Sequence, residues 1–150
     1  MKAWTLHLAL IAGLFAAQFL LSPYHATNLA RIMVLAVFAM GYNLAFGYTG
    51  LLSLGHALFF AAGMYAAGLS AQFWGLSAGP ALILGIFGGG AMAAAVGLLA
   101  LRTAGVSFMI VTLMFAQAGY LTILYFGATT GGDEGFTLPA ATRTFLGFDL

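Results

Sequence analysis

Long apolar runs separated by short polar or glycine-rich breaks set the pattern of this chain. The first run, Ala3 to Leu21, follows Met1-Lys2 and closes at Ser22-Pro23. It is longer than the roughly 7 to 15 residues of a signal-peptide core and further runs follow it, so it reads as a first transmembrane helix. Asn28 is the expected cap of a second span reaching about Phe46, with Arg31 close enough to its end to snorkel toward water. A third span is expected from Ala57 to Trp74. Gly75 to Gly79 with Pro80 make the next turn, a fourth span runs to Leu101, and Arg102 to Gly105 form a short link. The fifth runs from Val106 to Gly127. Ala128 to Leu150 is a polar external tail or loop carrying Asp133, Glu134, Arg143 and Asp149. The pattern predicts an all-α, polytopic helical bundle of about five transmembrane helices in a single domain, with a broken or re-entrant segment near residues 47–56.

Composition strengthens the membrane reading. The chain has 150 residues, 63% hydrophobic and 5% charged, against about 25% charged in soluble domains. Between Ile32 and Leu101 there is no Lys, Arg, Asp or Glu, a stretch long enough for several crossings at about 20 residues each. A net charge of +1 provides no basic surface for nucleic acid and no polybasic segment for anionic lipid. With no cysteine, disulfides, thiolate metal sites and a Cys nucleophile are excluded, and no metal site is expected. Topology is finely balanced, because Lys2 and Arg102 fall on one side and Arg31 and Arg143 on the other. Arg102 sits in a very short loop and Arg143 far from any membrane end, which favours the N-terminus inside and the tail outside.

Small residues recur at four-residue steps on the fourth span, Gly85, Gly89, Ala93 and Gly97, and on the third, Gly63, Ala67 and Ala71. Such stripes let helices approach closely, either as static packing or as a moving interface.

The break itself reads GYTGLLSLGHALFF, residues 47–60. Its leucines make it too apolar for a solvated loop, so it is expected to stay at membrane depth, where non-helical backbone must be buried in protein or line a wet cavity. Gly47, Gly50 and Gly55 permit an irregular backbone, while Thr49 and Ser53 could satisfy freed amides, Ser53 as the cap of a helix starting near Leu54. Half-helix ends of this kind meet anionic groups of substrates in transporters, and Thr49, Gly50, Ser53, Gly55 and His56 are therefore candidates for a translocation path. The plainer alternative is a tight turn whose hydroxyls serve only the backbone. His56 can act as a functional group or as a neutral hydrogen-bonding brace. A rhomboid-type Ser53/His56 pair is disfavoured by the three-residue spacing, the missing serine elbow and the lack of an orienting acid. Haem ligation by His7, His25 or His56 lacks an evident pair matched across helices. On the fifth span Thr112, Ala116 and Tyr120 form a strip beside Gln117, which is expected to face protein or cavity and joins the path candidates. Thr129 to Phe136 lacks the Gly-Lys-Ser/Thr ending of a phosphate loop.

Taken together, GYTGLLSLGHALFFAAGMYAAG (47–68), TAGVSFMIVTLMFAQ (103–117) and TGGDEGF (130–136) resemble the LivM-type permeases of bacterial branched-chain amino-acid ABC importers. The likeness covers roughly residues 28–150, and its first motif is the most specific. The resemblance implies a multi-pass subunit in the inner membrane, paired with a second related permease, two cytoplasmic ATPase subunits and a periplasmic substrate-binding protein. It also implies that ATP and Mg are bound by the ATPases, with no cofactor and no enzymatic activity in this chain. Urea and short-amide permeases share near-identical motifs. Members of the family are about twice as long, so the chain is expected to be the N-terminal half of a longer permease.

Overall fold

The computed structural model describes residues 2–138, 142, 144–145 and 148–149. Arg143, which entered the topology argument, lies outside the described residues. Five long helices follow one another: α1 (Lys2–Leu20), α2 (Pro23–Asn43), α3 (His56–Trp74), α4 (Ala78–Ala100) and α5 (Val106–Tyr125). A four-residue α6 (Gly127–Thr130) and two short strands, β1 (Thr144–Phe145) and β2 (Phe148–Asp149), complete the described chain. The strands pair antiparallel, Thr144 with Asp149 and Phe145 with Phe148. Among the described residues, three helical stretches are long and apolar enough to cross a membrane: Pro23–Tyr48, Ala78–Ala100 and Val106–Tyr125, with a shorter apolar stretch at Trp4–Ala17. The expected third span does form a helix, α3, although it is not among these three stretches.

The chain divides into two units, Met1–Asn43 and Leu44–Leu150. In the first, α2 begins five residues before the expected cap at Asn28. Ser22 accepts the Ala26 N–H at 3.0 Å and Pro23 takes the first helical position, where its missing N–H costs nothing. Asn28 is therefore inside the helix. Large apolar side chains such as Leu10, Phe15, Ile32 and Leu35 are exposed on both helices, as suits surfaces that face lipid or other protein.

The second unit is organised around α3. Gly75, in the left-handed conformation at φ 63°, ends α3, and a short link leads to α4, which begins at Ala78 rather than after Pro80. Pro80 falls within the first turn of α4, where no intrahelical N–H bond is forfeited. The two helices run antiparallel with their backbones nearly touching. A Cβ placed on Gly63 would lie 3.1 Å from the Gly85 carbonyl oxygen, one on Gly85 2.9 Å from that of Gly63, and one on Gly89 3.1 Å from that of Phe59. The four-residue stripe does not stay on this face. Each step of four overshoots a full turn by about 40°, so Gly97 is rotated about 120° from Gly85, and a Cβ there would meet nothing within 4 Å. Ala93, between them, is half-buried.

A second face of α3 meets α5, where Leu58 presses against Gly119. Leu58, Val96, Ala100 and Phe108 form a small buried core, with Leu51, Phe59 and Phe115 packed around it. A third face carries the returning chain. Beyond α5, Gly131, Gly132 and Gly135 all take positive φ, and Thr130 Oγ1 donates to the Ile123 carbonyl at 2.7 Å while accepting from the Gly132 N–H at 3.2 Å. This tight turn brings the Phe136 ring against Gly68, with its centroid 5.8 Å from that of Tyr65. The first part of the expected polar tail thus folds back on the bundle.

Candidate functional site

The break between the second and third spans is irregular for local reasons that can be followed residue by residue. Leu44–Tyr48 widen into one π-helical turn. Thr49 Oγ1 donates to the Ala45 carbonyl, so this hydroxyl bonds a carbonyl rather than the freed amide expected of it. Gly50, at φ 70°, then turns the chain out of the helix. Its N–H donates to Phe46 O at 3.0 Å and the Leu51 N–H reaches back to Ala45 O at 3.3 Å, a glycine C-cap widened by one residue to match the π turn. Residues 51–53 have no regular structure before the turn that leads into α3.

The entry to α3 differs from the expected cap. The helix begins at His56, its N-cap is Gly55, which has no side chain to cap with, and the Leu58 N–H donates to the Gly55 carbonyl at 3.0 Å. Ser53 is two residues too early to serve. It is 6% exposed, and its hydroxyl has no hydrogen-bond partner among the described residues. It therefore does not form a nucleophile–base pair with His56, whose half-buried ring stands edge-on to Phe59 at 5.6 Å.

Gly55 is fixed by contact, not by dihedral angles, since its φ of −100° suits any residue. A Cβ there would overlap the carbonyl of Thr112 on α5, lying 2.6 Å from its carbon. Thr112 is 2% exposed, and its own hydroxyl turns back to Met109 O at 3.0 Å. The structure therefore brings Gly55 and Thr112 together in a buried contact, with Ser53 buried two residues before Gly55, while Thr49 and Gly50 are exposed. Gln117 is exposed as well, about 140° around α5 from Thr112. The carbonyl contact at Thr112 is the partner that sequence reasoning missed; its only sequence signal was the polar strip on α5. No group of three or more His, Cys, Asp or Glu that could hold a metal gathers among the described residues.

Apolar helices with lipid-facing surfaces, close glycine contacts and a break of irregular backbone between two of them define a polytopic helical membrane protein. Residues 24–150 match the family described as branched-chain amino acid transport system / permease component, and the chain belongs to that family. It is similar to the high-affinity branched-chain amino acid transport system permease protein LivM of Escherichia coli (strain K12), with 32% identity over 145 residues, covering 93% of this chain and 33% of the relative. The LivM protein of Salmonella typhimurium is 31% identical over 146 residues, covering 94% of this chain and 33% of the relative. The chain thus spans about a third of the length of these relatives, a smaller share than the expected half. No solved structure matches it.

Proposed function

We propose that this chain is a permease subunit of a bacterial ABC importer that moves branched-chain amino acids or related small polar solutes across the inner membrane. It works beside a second related permease, with ATP and Mg on two cytoplasmic ATPase subunits and substrate delivered by a periplasmic binding protein. The chain itself performs no hydrolysis. Family membership supports this reading, and the observation that carries it is the break at Gly47 to His56. Backbone that leaves the helix at membrane depth needs protein or a wet cavity around it, and half-helix ends of this kind occur at transporter binding sites. Contacts along such a path must be weak enough to release what they hold. Thr49, Gly50, Ser53, Gly55 and His56 form the lining on this reading, and Gln117 joins it from α5.

The test is uptake by the complete importer in sealed vesicles, with ATP hydrolysis followed in parallel. Labelled leucine should accumulate only with ATP and the binding protein present, and excess urea or acetamide should not compete. Competition by urea would move the chain to the urea and short-amide permeases. Absence of ATP-dependent uptake of either solute would overturn the proposal.

A further inference from the structure

Between α3 and the chain that returns from α5 lies a cavity of about 500 Å³, lined by Ala57, Ala61, Met64, Tyr65 and Gly68 on the helix and by Phe136 on the returning chain. It begins at Ala57, directly after the break, and reaches Gly68, about 16 Å further along α3. The Phe136 ring sits at that far end. A Cβ on Gly68 would lie 2.5 Å from the ring tip, so only glycine lets the ring come this close to the helix, and Gly68 is buried. Tyr65 flanks the ring, with centroids 5.8 Å apart. The strap that carries Phe136 is rooted on α5, where Thr130 Oγ1 donates to the Ile123 carbonyl at 2.7 Å and the Tyr120 hydroxyl donates to the Asp133 carboxylate at 3.4 Å. Gly131, Gly132 and Gly135 give it left-handed joints between root and ring. Residues 135–138 have no regular structure, and Gly68 lies about 9 Å in from the end of α3 at Trp74. Irregular backbone at that depth needs protein or a wet cavity around it, so this face of α3 does not look into lipid.

We infer that this cavity is a stretch of the solute path and that Phe136 is its gate at the end remote from the break, the periplasmic end on the topology drawn from Arg102. This rests on the importer reading and adds to it a gating residue and the part of the solute that the cavity receives. A wall of alanine, methionine and aromatic rings takes the aliphatic side chain of a branched-chain amino acid and offers little to a small polar amide. The gate opens by moving one side chain on a glycine-jointed strap. The packing of α3 on α5 at Gly55 and Thr112 stays in place as it does so.

The test uses the complete importer in sealed right-side-out vesicles and the absence of native cysteine from this chain. Ala61→Cys places a thiol on the α3 wall of the cavity, and membrane-impermeant sulfonatoethyl methanethiosulfonate is added outside. With Phe136 seated, labelling of that thiol should be slow. Phe136→Ala removes the ring, and Gly68→Ala adds a methyl that displaces it while leaving the helix intact. Each should speed labelling about tenfold at unchanged recovery of the complex, the scale of losing an aromatic contact. In the Phe136→Ala background, excess leucine or valine should slow labelling and excess urea should not. An unchanged rate in either assembled variant, fast labelling with Phe136 in place, or reaction with a lipid-soluble maleimide alone overturns the inference. Protection by leucine and urea equally, or by neither, overturns it too. Labelling needs no ATP-driven step, and wild-type uptake tests the importer reading separately, so the gate can fail while that reading stands.

Discussion

Replacing Gly55 with alanine isolates the contact that joins the break to α5. The added methyl carbon would sit 2.6 Å from the Thr112 carbonyl carbon, whereas carbon atoms rest at about 3.5–4.0 Å, so α5 must retreat by about 1 Å or more. The obstacle is backbone, and no side-chain rotation relieves it. A gap of that size forfeits roughly a quarter to a half of each dispersion contact it touches, and the Leu58–Gly119 contact lies on the same interface. Small-to-large substitutions in packed interiors cost about 1–3 kcal/mol, and a rigid backbone obstacle places this one at about 2–3 kcal/mol. That corresponds to a roughly 30- to 150-fold shift in the folded ratio. The assay is retention of monodisperse purified complex after graded heating in detergent. Gly90→Ala is the control, because a Cβ on Gly90 meets nothing within 4 Å. Gly55→Ala should lose its half-retention temperature clearly while Gly90→Ala keeps it. Equal retention by the two variants would show that the Thr112 contact does not hold α3 to α5.

Gly50→Val should abolish uptake at normal expression, because a β-branched residue is strained at φ 70°; wild-type uptake would mean the turn can be rebuilt without cost to transport. Gly89→Leu should reduce recovery of intact complex far more than Leu98→Phe, since Gly89 faces the Phe59 carbonyl while Leu98 is 73% exposed; equal recovery would place the α3–α4 contact outside the assembly's needs. A reporter fused after Thr103 should read as cytoplasmic and one after Gly132 as periplasmic, and the reverse pattern would overturn the weight given to the Arg102 loop.

The helices were readable because their signal is local. Uninterrupted apolar runs fix where spans lie, and glycine or proline fixes most ends to within a few residues. Asn28 misled because capping chemistry also occurs inside helices, and the Ser22-Pro23 pair was the stronger start. The π turn at Leu44–Tyr48 carries no distinctive residue, and it is stabilised by Gly50 and the Thr49 back-bond acting together. At the break, the sequence indicated an irregular backbone but not which atoms would meet. The Gly55–Thr112 approach joins residues far apart in the chain, and no local pattern specifies it. Small-residue spacing revealed that α4 packs closely somewhere, whereas rotation along the helix decides that Gly85 and Gly89 touch α3 and Gly97 does not.

The near-contact of α3 with α4 also bears on how the chain enters the bilayer during synthesis. His56, Ser70 and Gln72 lower the gain α3 makes by partitioning alone, while α4 is among the stretches apolar enough to cross unaided. The link between them is only a few residues long, so the pair becomes available to the insertion machinery almost together. Their glycine faces can close before either helix has met the rest of the bundle. A substitution that separates them would then act at biogenesis, leaving α3 stranded at the membrane surface, and would be seen as rapid degradation of the nascent subunit instead of slow transport by a finished one.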